Sequence, residues 1–190
     1  PRQWPAPIGM LPEVLRAAEI PMTLAGEPVV GMEAESLAPL AFRGVGTLSV
    51  GGGPQTGRTN AVAWLSRSLM QTYPRATFLH ISSGRSALSS RFRWTEHAVG
   101  VDDSQKLLAA HKQLFEEAAP ESGPGVVLVV ENLAGYVYSS ADSVLTECIT
   151  LARSDKYSSL VLSSSTSCFS TAATPSQTSP VATSSIASCG

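Results

Sequence analysis

Apolar positions in this chain fall into short continuous runs and longer stretches of helical spacing, in alternation. The run at 46–52, GTLSVGG, is β-rich, apolar and closed by glycine, as a central strand buried on both faces would be. Residues 59–72 then set Ala61, Val62, Leu65, Leu69 and Met70 on one helical face. RATFLHISS predicts a second strand through Phe78, Leu79 and Ile81, and a further short strand is expected at 98–101. A helix capped by Asp103 or Ser104 should follow, with Leu107, Leu108, His111, Leu114, Phe115 and Ala118 at helical spacing. PESGPG breaks it. VVLVVEN carries the strongest strand signal in the chain, an apolar run ended by an acid. Residues 141–153 put Val144, Leu145, Cys148, Ile149 and Ala152 on one helical face, and SSLVLSSS predicts a last strand.

Strands alternating with helices give an α/β fold with a mainly parallel sheet. Ahead of this core, PVVGMEAESLAPLAF predicts a short strand, a turn and a second extended piece. Residues 1–27 are expected to be a proline-rich linker or lead-in, with one short helix near 12–18. After Lys156 no charged residue occurs, and beyond Ser163 serine and threonine dominate. Such a segment cannot bury enough apolar surface to offset its ordering entropy, so residues 167–190 are expected to be a disordered Ser/Thr-rich tail. A core of this kind would continue with another helix and strand, and the change in composition leads us to expect a C-terminally incomplete fold. The opening PRQWPAPIGM does not begin with Met and lacks the pattern of a secretory signal, and is expected to be an internal piece of a longer protein.

Composition narrows the function classes. A net charge of -2 argues against a broadly basic, nucleic-acid-coating surface. No apolar run is long enough to cross a bilayer. Cys148, Cys168 and Cys189 are widely spaced and lack metal-ligand partners nearby in sequence, so reduced thiols are expected rather than a metal site. Arg85, Arg91 and Arg93 with Trp94 form a small basic-aromatic cluster, read first as a solvated loop and second as a contact for nucleic acid or a neighbouring subunit.

The chemistry concentrates in two places. Gly52, Gly53, Pro54, Gln55, Thr56, Gly57, Arg58 and Thr59 match the phosphate-binding pattern G-x-x-x-x-G-K-[ST] except that arginine replaces lysine. Glycines let backbone N–H groups approach an anion, and the helix start that follows, through Asn60, adds its positive end. Thr59 is the candidate Mg²⁺ hydroxyl. Arg58 keeps the charge, but its planar fork is wider than an ammonium. The competing explanation is a tight strand-to-helix turn and nothing more. The second place is Glu131 with Asn132 at the end of VVLVV. A phosphate-loop enzyme needs a carboxylate at a neighbouring strand tip to hold Mg²⁺, and a second acid to activate water. Glu131 is the candidate metal and catalytic acid, whereas Asn132 can position a water but cannot accept its proton. Serines ending the last strand, Ser164 or Ser165, are weaker candidates for sensing a terminal phosphate.

In their order, PVVGM, the glycine loop with its arginine, VVLVVENL and SSLVLSSS, over roughly 28–166, resemble the FtsK/SpoIIIE-type ATPase domain. The resemblance is nearest to degenerate modules such as those of EccC-like type VII secretion ATPases and actinobacterial FtsK-like proteins. It implies a RecA-like P-loop NTPase core and ATP with Mg²⁺ as ligands. It also implies sister ATPase modules or subunits in a tandem or hexameric motor, and a cytoplasmic domain on a membrane-anchored parent. That parent would move DNA or export protein. The expected function is a nucleotide-binding module with weak or no hydrolysis. Alternatives are an active ATPase completed by a neighbouring subunit, and a nucleotide-free docking module for an export-signal peptide or partner subunit.

Overall fold

The computed structural model describes residues 16–33, 35–116, 123–154 and 158–164. The serine-rich end beyond Ser164 and most of the expected 12–18 helix lie outside these residues. The described part of the latter is a turn, closed by Glu19 N–H donating to Arg16 O at 2.8 Å.

Five parallel strands form the main sheet. In chain order they are β4 (Gly46–Gly51), β5 (Thr77–Ser82), β6 (Glu96–Val99), β7 (Val126–Glu131) and β8 (Ser158–Ser164), and in space they run β4-β8-β7-β5-β6. The last strand in sequence therefore lies between the strand that enters the glycine loop and the strand that ends in the acid. β8, β7 and β5 are the interior strands and are buried on both faces, β8 despite its four serines. β4, expected to be a central strand buried on both faces, instead lies at the sheet edge and is mostly only partly buried, because β8 covers just one of its sides.

Side chains alternate between the two faces of this sheet. On one face Leu79, Ile81, Leu128, Val130, Leu160 and Leu162 pack against α2 (Val101–His111) and α3 (Asp142–Ser154). On the other, Val50, Phe78, Val127, Val129 and Val161 pack against Val62, Leu65 and Leu69 of α1 (Arg58–Thr72). Each large apolar side chain taken from water in this way contributes about 1.5–3 kcal/mol. Helical spacing located the buried faces correctly: Leu145, Cys148 and Ala152 of α3 and Leu107 and Leu108 of α2 are buried. Ala61, Met70, Val144 and Ile149 pack partly buried at the margins.

Two further expectations are corrected. The strand expected at 98–101 is β6 and ends at Val99, and Val101 opens α2, so the helix starts before Asp103 and Ser104. Gly100, at φ 102°, makes the sharp exit from the strand that a residue with a Cβ would resist. Asp102 and Asp103 become first-turn acids, and Ser104 Oγ donates back to Gly100 O at 2.6 Å. Beyond His111 the helix tightens to a 3-10 turn over Lys112–Phe115, and Ala118 lies outside the described residues.

A second sheet of three antiparallel strands, β1 (Thr23–Leu24), β2 (Glu27–Met32) and β3 (Pro39–Ala41), covers the outer side of α1. Two side chains of α1 reach it. Trp64 Nε1 donates to Val29 O at 2.9 Å and Ser68 Oγ to Met22 O at 2.6 Å. The helix behind the glycine loop is thus gripped from both sides, which fixes where its N-terminus points.

Candidate functional site

The glycine loop leaves β4 at Gly51 and enters α1 at Arg58, with two left-handed residues on the way, Gln55 at φ 61° and Gly57 at φ 82°. Gly57 is the N-cap of α1, so no side chain caps the helix. The loop closes on itself instead, Thr56 Oγ1 donating to Gly53 O at 2.9 Å. That closure explains Gly52. A Cβ there would lie 2.4 Å from Thr56 Oγ1 and 3.2 Å from Arg58 Cγ.

The electrostatics of this turn follow from what it lacks. The first backbone bond of the helix runs from Ala61 N–H to Gly57 O at 2.9 Å. Among the described residues, no backbone N–H from Gln55 to Asn60 has a protein acceptor. The first turn of α1 contains no acid, whereas α2 carries Asp102 and Asp103 there and α3 carries Asp142. Half-buried Arg58 adds a cation that pairs with no described carboxylate. Thr59 and Asn60 are exposed. Undonated amides, a helix start without acids and an unpaired guanidinium make a donor set fit for a polyphosphate.

Register brings the acid to the same edge. Gly51 pairs with Ser164 across β4 and β8, Val130 with Leu162 across β7 and β8, and Ser82 with Glu131 across β5 and β7. The loop and Glu131 therefore lie at the carboxyl ends of parallel strands, on the α1 side, separated by β8. Two strand spacings are about 10 Å. In open α/β sheets this carboxyl edge is where ligands bind.

Glu131 is only 12% exposed and heavily engaged. His80 Nε2 lies 2.9 Å from Oε2, and because a carboxylate only accepts, the imidazole donates. Ser86 Oγ donates to the same oxygen. His80 is completely buried in β5 and its ring stacks on Trp94, with centroids 4.7 Å apart and planes at 17°. Trp94 Nε1 donates to Leu88 O at 2.9 Å, and Leu88 N–H donates to Ser86 Oγ at 3.0 Å, so the segment after β5 folds around the acid. Asn132 sits in the left-handed region at φ 56°, its Nδ2 donating to Ser83 Oγ at 2.8 Å.

The remaining candidates separate. Ser164 is completely buried, its Oγ accepting from Ala134 N–H at 3.3 Å, which ties β8 to the turn after β7; Ser165 lies outside the described residues. Alternation places Ser163 on the α1 face instead, beside Glu131. Arg85, Arg91 and Arg93 are exposed, but Trp94 turns inward and leaves that surface cluster. Cys148 is buried and unpaired, with its thiol pushed up to about 11 by burial; Cys168 and Cys189 lie outside the described residues.

Nearby, Tyr136 is pushed up to about 12, chiefly by burial and further by the charge of Glu131, against a hydrogen bond with Ser104 at 2.9 Å. Among the described residues no three His, Cys, Asp or Glu side chains cluster as a metal site. A cation at this edge would draw on Thr59, Glu131, phosphate oxygens and water.

Sequence reading missed His80, Ser86 and Ser83. One signal was available. A histidine within an apolar run that should be buried on both faces needs a polar partner on an adjacent strand, and Glu131 ends the strongest strand.

No family model matches this chain, and no curated protein matches it. Solved structures do. ATPases 2 and 3 of Thermomonospora curvata EccC, in complex with a signal sequence peptide, align at 22% identity and TM-score 0.69, over 87% of this chain and 34% of that one. The cytoplasmic domain of the Thermomonospora curvata type VII secretion ATPase EccC gives 22% and 0.66, over 84% and 21%. ATPases 2 and 3 of Geobacillus thermodenitrificans EssC give 17% and 0.56, over 85% and 34%. The chain spans about a third or less of the length of these structures. What it shares with them is the fold: the RecA-like phosphate-loop core of these secretion ATPases, as the resemblance in its sequence led us to expect.

Proposed function

We propose that this chain is an ATP-binding module of a larger FtsK/SpoIIIE-type translocase motor, one that holds nucleotide and hydrolyses it weakly or not at all. The observation that carries this reading is the run of undonated amides from Gln55 to Asn60 at a helix start without acids, beside Arg58. Those amides would hold the β- and γ-phosphates, Arg58 would add charge, and Thr59 would offer its hydroxyl to the cation, with Glu131 the acid at the neighbouring strand end. Mg²⁺, when bound, would neutralise charge on the phosphates.

Weak hydrolysis follows from the acid side. Glu131 is engaged by His80 and Ser86, and Asn132, bonded to Ser83, has no proton-accepting oxygen of carboxylate strength. The absence of a positioned general base costs about 10²–10⁴-fold in rate. Sister modules or subunits of the same motor are the partners this reading implies, with DNA or exported protein handled by the parent assembly in the cytoplasm beneath its membrane anchor. Among the described residues no helix is long and apolar enough to cross a membrane.

Calorimetry with Mg-ATP on the full chain tests the proposal. Saturable binding that Gly52→Val abolishes, with phosphate release near background, is expected; no heat from a folded sample refutes it.

A second reading has one observation in its favour. The EccC ATPases that share this fold were solved in complex with a signal sequence peptide. A docking role without nucleotide would give binding of such a peptide by this chain and none of ATP.

A further inference from the structure

The acid corner holds a buried polar cluster that nucleotide binding alone does not require. His80 lies completely buried in a central strand, where an imidazole is costly unless paired, and the hydrogen bond it makes goes to Glu131. Its Nδ1 has no partner among the described residues. Ser86 donates to the same carboxylate oxygen, so two donors converge on Oε2. Trp94 backs the imidazole face to face and is itself bound to Leu88 O and braced edge-on by Phe92, with centroids 5.4 Å apart.

Direction matters here. In the order β4-β8-β7-β5, the glycine loop lies on one side of β7 and His80, on β5, lies on the other, while Ser86 comes from the segment that follows β5. His80 therefore draws the Glu131 carboxylate away from the loop, and Ser86 holds the same oxygen in place. With Oε2 held by both donors, only Oε1 is free to face a cation beside Thr59. For the whole carboxylate to swing across β8, Oε2 must leave both donors, and the imidazole would then be buried with neither nitrogen paired, a state that carries a desolvation cost.

We propose that His80 and Ser86, braced by Trp94, are positioning residues that latch Glu131 away from the loop, so that Mg²⁺ adds little to nucleotide affinity in this chain. The proposal rests on the nucleotide-binding reading above and assigns its regulation to a cluster contributed by β5 and the segment that follows it. Phenylalanine at position 80 keeps a ring against Trp94 while removing the donor. Loss of the Ser86 hydroxyl is the smaller change.

The experiment measures ATP affinity of the full chain with Mg²⁺ and with EDTA, and takes the ratio for each variant. Because both conditions use the same folded sample, a merely structural defect cancels. In the native chain the ratio is expected within about twofold of one. In His80→Phe it should rise about tenfold, equivalent to about 1.4 kcal/mol, and in Ser86→Ala by about threefold. Adding Glu131→Gln to either variant should return the ratio to the native value, since the released carboxylate is the group that would reach the cation.

A ratio unchanged in both single variants while ATP still binds overturns the latch and leaves the nucleotide reading standing. The same holds for a rise that Glu131→Gln does not reverse. If no form binds ATP with or without Mg²⁺, the nucleotide reading fails and the latch fails with it. Ser86→Ala keeps the test decisive should His80→Phe not fold.

Discussion

The glycine loop and the acid corner sit at the same edge of one sheet but are built in opposite ways. The loop is local: within ten residues, two left-handed residues and one Thr56–Gly53 hydrogen bond set its shape, and its amides stay undonated. The acid corner is assembled from afar. Glu131 meets His80 across 51 positions and Ser86 across 45, and its carboxylate is nearly buried. A surface that a backbone shapes is available to a ligand, whereas one that buried side chains satisfy must be opened first. On the reading proposed above, that contrast separates holding an anion from acting on it.

The largest effects should come from undoing the acid corner. Leu88 is completely buried and accepts the Trp94 indole bond, so Leu88→Ala should cost about 2–5 kcal/mol in urea unfolding through lost packing and the cavity left behind. A loss below about 1 kcal/mol would mean that the segment is not part of the cooperative core. On the loop side, Gly52→Val should leave unfolding within about 1 kcal/mol of native but weaken ATP at least tenfold, because its Cβ meets Thr56 Oγ1. Equal losses in both measurements would erase the distinction between the two regions.

Alkaline pH sharpens the comparison. Tyr136 and Cys148, both in the core on the α2 and α3 side, are raised from 10.0 to about 12 and from 9.0 to about 11. Their folded forms hold protons more tightly than the unfolded chain, so this stability is complete below about pH 9 and declines as pH rises through 11 and 12. Cys148→Ala should remove the part that begins nearest pH 9, as read from urea midpoints across pH 8–12. The smallest effect belongs to the loop. Exposed Gln55 is held at φ 61°, and Gln55→Gly should stabilise the chain by about 0.5 kcal/mol, strain relief slightly exceeding the added chain entropy.

Much of this was legible in the residues. The strands at 46–51, 77–82, 126–131 and 158–164 and the buried faces of all three helices follow from local period, which depends only on neighbours along the chain. The bend of the loop, with Arg58 at the start of α1, was equally readable because its shape is set by its own nearby glycines. The start of α2 was not, since Gly100 in a positive-φ turn competes with the Asp103 and Ser104 capping signals that sequence favours.

What the sequence determined by itself is therefore a parallel α/β core and a phosphate-loop geometry, both products of short-range periodicity and backbone freedom. Tertiary structure alone decided that β8 lies between the two motif strands, that Ser164 faces the turn after β7, and that His80 and Ser86 hold Glu131. Strand order and register join positions far apart in the chain, and a hydrogen bond between such positions leaves no periodic trace in the order of the residues.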